Sequence, residues 1–184
     1  MVLSNHITPG MTISVNGKLY RVESSVKVTV AKGNPFIKTK MRDLSSNEMT
    51  EKSFKLNQTL KDVSLAERRL EYLYPEGKDY LFLDIGNLEQ VLVPSVVVGG
   101  KENYLKEGVE IKASFYGDTI FAIDLPQFLE LMVAKTEGES AKPLANATKV
   151  AILETGAKIE VPPFIEVGDI IKVDTKTDDY IQRV

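Results

Sequence analysis

Chemistry needs particular side chains at particular spacings, and few candidates stand in these 184 residues. There is one histidine, His6, and no cysteine. A thiolate metal site, a disulfide and a Cys nucleophile are excluded, as are a histidine cluster for a metal and a Ser-His-Asp triad built away from His6. His6 has no Ser or Asp context and reads as a surface residue. No Gly-x-Ser-x-Gly, phosphate-loop, Gly-x-Gly-x-x-Gly or His-Glu-x-x-His pattern occurs. Asp178-Asp179 reads as a turn rather than a general-acid pair. No catalytic residue, metal site or cofactor is therefore expected, and the chain is not read as an enzyme. Lys32 is the residue left over. It stands between Ala31 and Gly33, with Asn34 and Pro35 following. Its small neighbours would let RNA come close, and its four-carbon stem would carry an ammonium about 6 Å beyond the backbone. An exposed loop lysine is ordinarily just solvated, and at this point both readings stand.

The elements that hold Lys32 follow a period of two. Ile13–Val15, Asn16-Gly17 and Leu19–Val22 read as a hairpin with a type I′ turn, because Asn-Gly tolerates two positive φ values. Val26–Val30 and Phe36–Met41 alternate in the same way. Ala31–Pro35 between them makes a second hairpin with Lys32 at its tip. Leu70, Tyr72 and Tyr74 share a strand face, Pro75–Lys78 turns, and Tyr80 and Phe82 continue on the next strand. These four aromatics suit a barrel core better than a base-stacking platform. Ser24-Ser25 and Ser45-Ser46-Asn47 read as turns, and Leu88–Val93 as a helical turn. Short strands with frequent turns predict an all-β chain of small barrels.

Gly108–Ala113 recurs 60 residues later as Gly168–Val173, each copy followed by a turn and a closing strand. Two barrels of the OB size would explain the echo. Pro126 and Glu137–Pro143 mark boundaries or loops. The expected domains are 1–62, 63–126 and 127–184. Their net charges are +5, −5 and −3, so the total of −3 conceals a basic first domain. Lys27, Lys38, Lys40 and Arg42, with Lys52 and Lys55, crowd its second half, where a phosphate backbone could be met. Met1–Met11 lacks a basic stretch followed by an apolar one, and Val91–Val98 is broken and short. No signal peptide, membrane span or membrane partner is expected, and the location read is cytoplasmic.

Lys149-Val150-Ala151, Gly156, Ile159, Val161-Pro162, Ile165 and Gly168 stand at spacings that resemble the signature of bacterial elongation factor P. The resemblance runs along the whole chain. Pro9–Ile13 looks like the family's opening strand, Ala31-Lys32-Gly33 its tip loop, and Lys38–Leu44 the strand after it. Glu71–Tyr74, Asp79–Phe82, Leu125–Phe128 and Lys172–Thr175 continue it to Val184. The resemblance implies an L-shaped monomer of three β-barrels: a KOW-like (SH3-like) domain followed by two OB folds. It implies binding to both subunits of the ribosome between the peptidyl and exit sites, relief of stalling at consecutive prolines, and Lys32 reaching the CCA end of peptidyl-tRNA or initiator tRNA. Extension of Lys32 by a lysine-modifying ligase is implied too. The tip here is Val30-Ala31-Lys32-Gly33 where a frequent family tip is Pro-Gly-Lys-Gly. Gly138-Glu139-Ser140-Ala141 stands where the family's third-domain loop reaches the exit-site region of the small subunit. The alternatives are the elongation-factor-P-like paralogue, whose tip commonly carries Arg, and a general single-stranded RNA-binding OB protein.

Overall fold

The structure, a computed structural model, describes residues 1–139 and 147–184. Among the described residues sixteen strands fall into three sheets. The first holds β1 (Val2–Leu3), β2 (Thr12–Val15), β3 (Lys18–Val28), β4 (Phe36–Asp43), β5 (Met49–Lys55) and β6 (Thr59–Val63), in the order β1-β6-β2-β3-β4-β5. The second holds β7 (Ala66–Glu76), β8 (Asp79–Asp84), β9 (Gln90–Val93), β10 (Glu110–Tyr116) and β11 (Thr119–Asp124), in the order β11-β10-β7-β8-β9. The third holds β12 (Phe128–Glu139), β13 (Lys149–Leu153), β14 (Lys158–Val161), β15 (Ile170–Asp174) and β16 (Asp179–Arg183), in the order β14-β13-β12-β15-β16. By contact the chain forms two compact units, Met1–Glu67 with Ser114–Ala122, and Arg68–Ala113 with Ile123–Val184. The tip of the β10–β11 hairpin thus belongs to the first unit.

Reversing the third order aligns it strand for strand with the second: β12 takes the place of β7, β13 of β8, and β15 of β10. The Gly108 and Gly168 echo sits at matching points. Gly108 N donates to Tyr72 O at 3.0 Å while Tyr72 N donates to Val109 O at 2.9 Å. Gly168 N donates to Val133 O at 2.9 Å while Val133 N donates to Asp169 O at 2.8 Å. Both glycines have φ near +90°, where a side chain would be strained. The recurrence is two sheets of the same OB topology.

Each sheet curls around one long strand broken by a register shift. These fall between Val22 and Ser24, between Tyr72 and Tyr74, and between Val133 and Lys135. An unpaired residue sharpens the local twist, so a strand of eleven or twelve residues bends instead of running flat. This corrects the expectation for Ser24-Ser25, which lie inside β3 beside its bulge.

A second device also recurs. Asp43, Asp84 and Asp174, all buried, end the first strand of a hairpin. Each aspartate accepts backbone N–H bonds two or three residues on: Asp43 Oδ1 from Ser45 and Ser46, Asp84 Oδ1 from Gly86, and Asp174 Oδ1 from Lys176 and Thr177. Four residues after each aspartate, Asn47, Leu88 and Asp178 take φ near +60° and return an N–H to its carbonyl. Leu88 therefore closes a turn and Gln90–Val93 is a strand, not the helical turn expected at Leu88–Val93. The local aspartate turn overrides a short apolar run that periodicity could not assign.

The expected Asn-Gly hairpin turn and most of the aromatic packing are present. Asn16 and Gly17 have φ of 52° and 79°, the two positive values of the predicted turn. Ile7, Ile13, Val22, Met41, Phe54 and Leu60 form the core of the first sheet. In the second, Tyr72 and Phe82 are buried with ring centroids 5.3 Å apart, Tyr80 is half-buried and Tyr74 is exposed. Three of the four aromatics thus serve packing. Among the described residues no helix is long and apolar enough to cross a membrane.

Candidate nucleic-acid interface

The Lys32 loop grows from the longest hairpin of the first sheet. The β3–β4 ladder closes at Val28 opposite Phe36, and residues 29–35 bridge the two strands. Ala31, Lys32, Gly33 and Asn34 are all exposed. Gly33 has φ +122°, and a Cβ added there would lie 3.3 Å from Val30 Cγ2. The chain doubles back tightly enough that a side chain at 33 would meet both strain and contact. Pro35 then fixes φ where the chain re-enters the ladder. Among the described residues no hydrogen bond or ion pair holds the Lys32 ammonium.

The structure divides the basic residues predicted around it. Ile37, Thr39, Met41 and Asp43 turn inward and are buried, which puts Lys38, Lys40 and Arg42 on the outer face of β4. On that face Lys38 Nζ lies 3.2 Å from Glu51 Oε1 on β5. Arg42 Nε donates to Glu23 Oε1 at 3.1 Å and its Nη1 to the Asn47 carbonyl at 3.0 Å. Lys40 stands opposite Glu51 in register, and among the described residues no ion pair reaches it. Lys27 lies opposite Ile37 and hence on the other face. The four residues therefore do not form one patch. Exposed Lys55, opposite Phe36 at the base of the loop, is nearer the tip in register than Lys40 or Arg42. Lysine density in the sequence could not separate free ammoniums from paired ones. The one available signal was Glu51, placed to face Lys38 and Lys40 across a five-residue hairpin loop.

In the third sheet Gly138 and Glu139 end β12, with Glu139 opposite Lys149 in register. Ser140 and Ala141 of the predicted loop lie outside the described residues. No group of acidic, His or Cys residues able to hold a metal occurs among the described residues.

Within the second unit one contact was not legible at all. Tyr104 ends the 3₁₀ segment Gly99–Tyr104, and its ring is buried in the core of the third sheet with Leu131, Leu153, Ile159 and Ile171. Its hydroxyl donates to Asp178 Oδ1. Burial and then the Asp178 carboxylate push the hydroxyl well above its ordinary pKa, so it stays a donor. Nearby, Glu154 Oε1 accepts from Met132 N and from Lys106 Nζ, both at 3.0 Å. The Met132 N–H first, and then the ammonium, hold the Glu154 carboxyl below its usual range.

The chain matches three family models in order. They are the elongation factor P KOW-like domain over residues 3–60, its OB domain over 65–123, and the elongation factor P C-terminal domain over 129–183. It is 76% identical, over the full length of both chains, to "Elongation factor P 1" of Protochlamydia amoebophila. It is 46% identical to the protein of the same name from Chlamydia caviae, again over all of both chains. Against "Elongation factor P" of Prochlorococcus marinus strain MIT 9515 the identity is 36%, covering 100% of this chain and 99% of the relative. A solved structure, eukaryotic translation initiation factor 5A from Methanococcus jannaschii, superposes with a TM-score of 0.53 at 14% identity. It covers 66% of this chain and 94% of its own, a likeness of fold alone. With three domain models in sequence and relatives matched from end to end, the chain belongs to the elongation factor P family.

Proposed function

We propose that this protein is a non-enzymatic translation factor of the cytoplasm that binds both ribosomal subunits between the peptidyl and exit sites. It relieves stalling at consecutive prolines, with Lys32 directed at the CCA end of the peptidyl-tRNA. Family membership supports the ribosome as partner. The observation that carries the role of Lys32 is its placement: an exposed lysine with no partner among the described residues, at the end of a hairpin held by a glycine at φ +122°.

Peptide-bond formation is ribosomal RNA chemistry, and the factor contributes positioning. A prolyl-tRNA held closer to its attack geometry meets a smaller entropic barrier. A cation beside the CCA phosphates fixes that end by charge-assisted hydrogen bonds. A group attached to Lys32 by a modifying ligase would lengthen its reach and add donors. The acidic second and third domains, taken as 63–126 and 127–184 after a basic 1–62, suit basic ribosomal proteins. The segment from Gly138 to Ala141 is assigned to the exit-site side on the family resemblance.

The test is in vitro translation of messages with and without a polyproline run, comparing wild type with Lys32→Ala. Wild type should raise yield on the polyproline message only, and the variant should not. Equal stimulation by both proteins would remove Lys32 from the mechanism. The intact mass of the protein from its own cells reads whether Lys32 is extended.

A further inference from the structure

The basic residues of the first sheet differ in whether their charge is available. Lys38 and Arg42 face Glu51 and Glu23 at 3.2 and 3.1 Å. Such half-exposed pairs contribute little to stability, but they cancel much of the field a phosphate would feel. Lys27 and Lys55 are exposed, and among the described residues no ion pair reaches either. Their place in the register is specific. Val28, Phe36 and Lys55 form the last cross-strand row before the Lys32 loop, and Lys27, Ile37 and Phe54 form the next. Ile37 and Phe54 are core residues, so Lys27 leaves the sheet on the core-side face while Lys55 leaves it on the outer one. Three ammoniums with no ion pair among the described residues thus surround the end of the hairpin, one at the tip and one on each side of its base.

Resting on the ribosomal reading above, we infer that Lys27 and Lys55 contact phosphates of the RNA strand presented to Lys32, and that Lys38 and Arg42 do not. A strand end meeting the hairpin head-on brings successive phosphates past the tip and then to either side of its base. Lys27 and Lys55 are positioning residues in this arrangement, holding the strand while Lys32 acts at its terminus.

Counterion release supplies the measurement. Each phosphate contact to a single strand adds about 0.7 to the steepness with which log affinity falls against log salt. The full-length protein is titrated onto ribosomes stalled with peptidyl-tRNA at consecutive prolines, between about 100 and 400 mM KCl at fixed magnesium. Lys27→Ala and Lys55→Ala should each lower the slope by about 0.7, sparing about 2.6-fold of the affinity lost across that range, and the double variant should spare about sevenfold. Lys38→Ala should leave the slope unchanged although it removes the same net charge, and Lys55→Arg should restore it. Lys27→Gln and Lys55→Gln carry the comparison should an alanine variant fold poorly. A wild-type slope in the double variant, or equal flattening by Lys38→Ala, overturns the inference while leaving the ribosomal reading intact. A wild-type protein that fails to bind these ribosomes at any salt overturns both.

Discussion

Two short connecting segments, 29–35 around Lys32 and Gly99–Tyr104, show opposite ways of using a polar side chain. Lys32 is exposed and among the described residues has no partner. Tyr104 is 5% exposed, its ring lies in the core of the third sheet and its hydroxyl is bonded to Asp178. Both segments join strands, the first as a loop outside the sheet ladder and the second as a 3₁₀ turn. The difference is where the free energy goes. The Tyr104 segment gives its side chain to the fold, while the Lys32 loop withholds its charge from the fold and keeps it for a ligand. Mutations should therefore separate cleanly, with stability lost at one segment and activity at the other.

The largest effect should come from Tyr104→Ala. Removing a buried aromatic ring costs about 3–5 kcal/mol, because the surrounding core relaxes only in part. Hydrogen exchange of core amides in β12, β13 and β15 should accelerate accordingly, with little change in β3 and β4 of the other unit. Equal acceleration in both would mean that the two units unfold as one. Tyr104→Phe keeps the ring and removes one hydrogen bond to an exposed carboxylate, which should cost about 1 kcal/mol by the same measurement.

This contrast also shows what could be read in advance. Alternation and turn residues were enough for the strands, because a period of two and an Asn-Gly pair act locally. The echo of Gly108 and Gly168 was legible because a positive φ at the start of a strand selects glycine in both copies. Lys32 stood out through its small neighbours and its place between two alternating runs. What the sequence hid were pairings across distance. Nothing near Tyr104 announces that Asp178, 74 residues on, receives its hydroxyl. Lys38 and Arg42 looked as free as Lys27 until strand register placed Glu51 and Glu23 beside them. Leu88 misled because an aspartate four residues earlier fixes its backbone, and an apolar run carries no sign of that.

Acid should act on the third sheet through two carboxylates. Asp174 is held below its ordinary pKa by the Lys176 N–H first, then by Gln127 and Thr177, and Glu154 by Met132 and Lys106. A carboxyl whose pKa is lower folded than unfolded stabilises the fold above its unfolded value. That contribution is lost as pH falls through the folded one. The urea midpoint of the second unit should therefore drop as pH is lowered from about 5 towards 3. Asp174→Asn keeps an acceptor for the Lys176 and Thr177 N–H groups but cannot titrate, so its midpoint should fall less over the same range. Parallel curves would place the acid sensitivity on other groups.

The smallest effect expected on stability belongs to the residue expected to matter most for activity. Lys32→Ala removes no contact made within the described residues, and substitutions of that kind usually lie within about 0.5 kcal/mol of wild type. Its thermal midpoint should shift by no more than about 2 °C. Removing one of several like charges from a basic domain should bias any shift slightly upward, and added salt should shrink that bias by screening. A clear loss of stability would mean that the ammonium is used by the fold after all, and the contrast with Tyr104 would fail on its own terms. An unchanged midpoint beside a lost response to polyproline would locate the function of Lys32 wholly outside the folded chain, in whatever the loop meets.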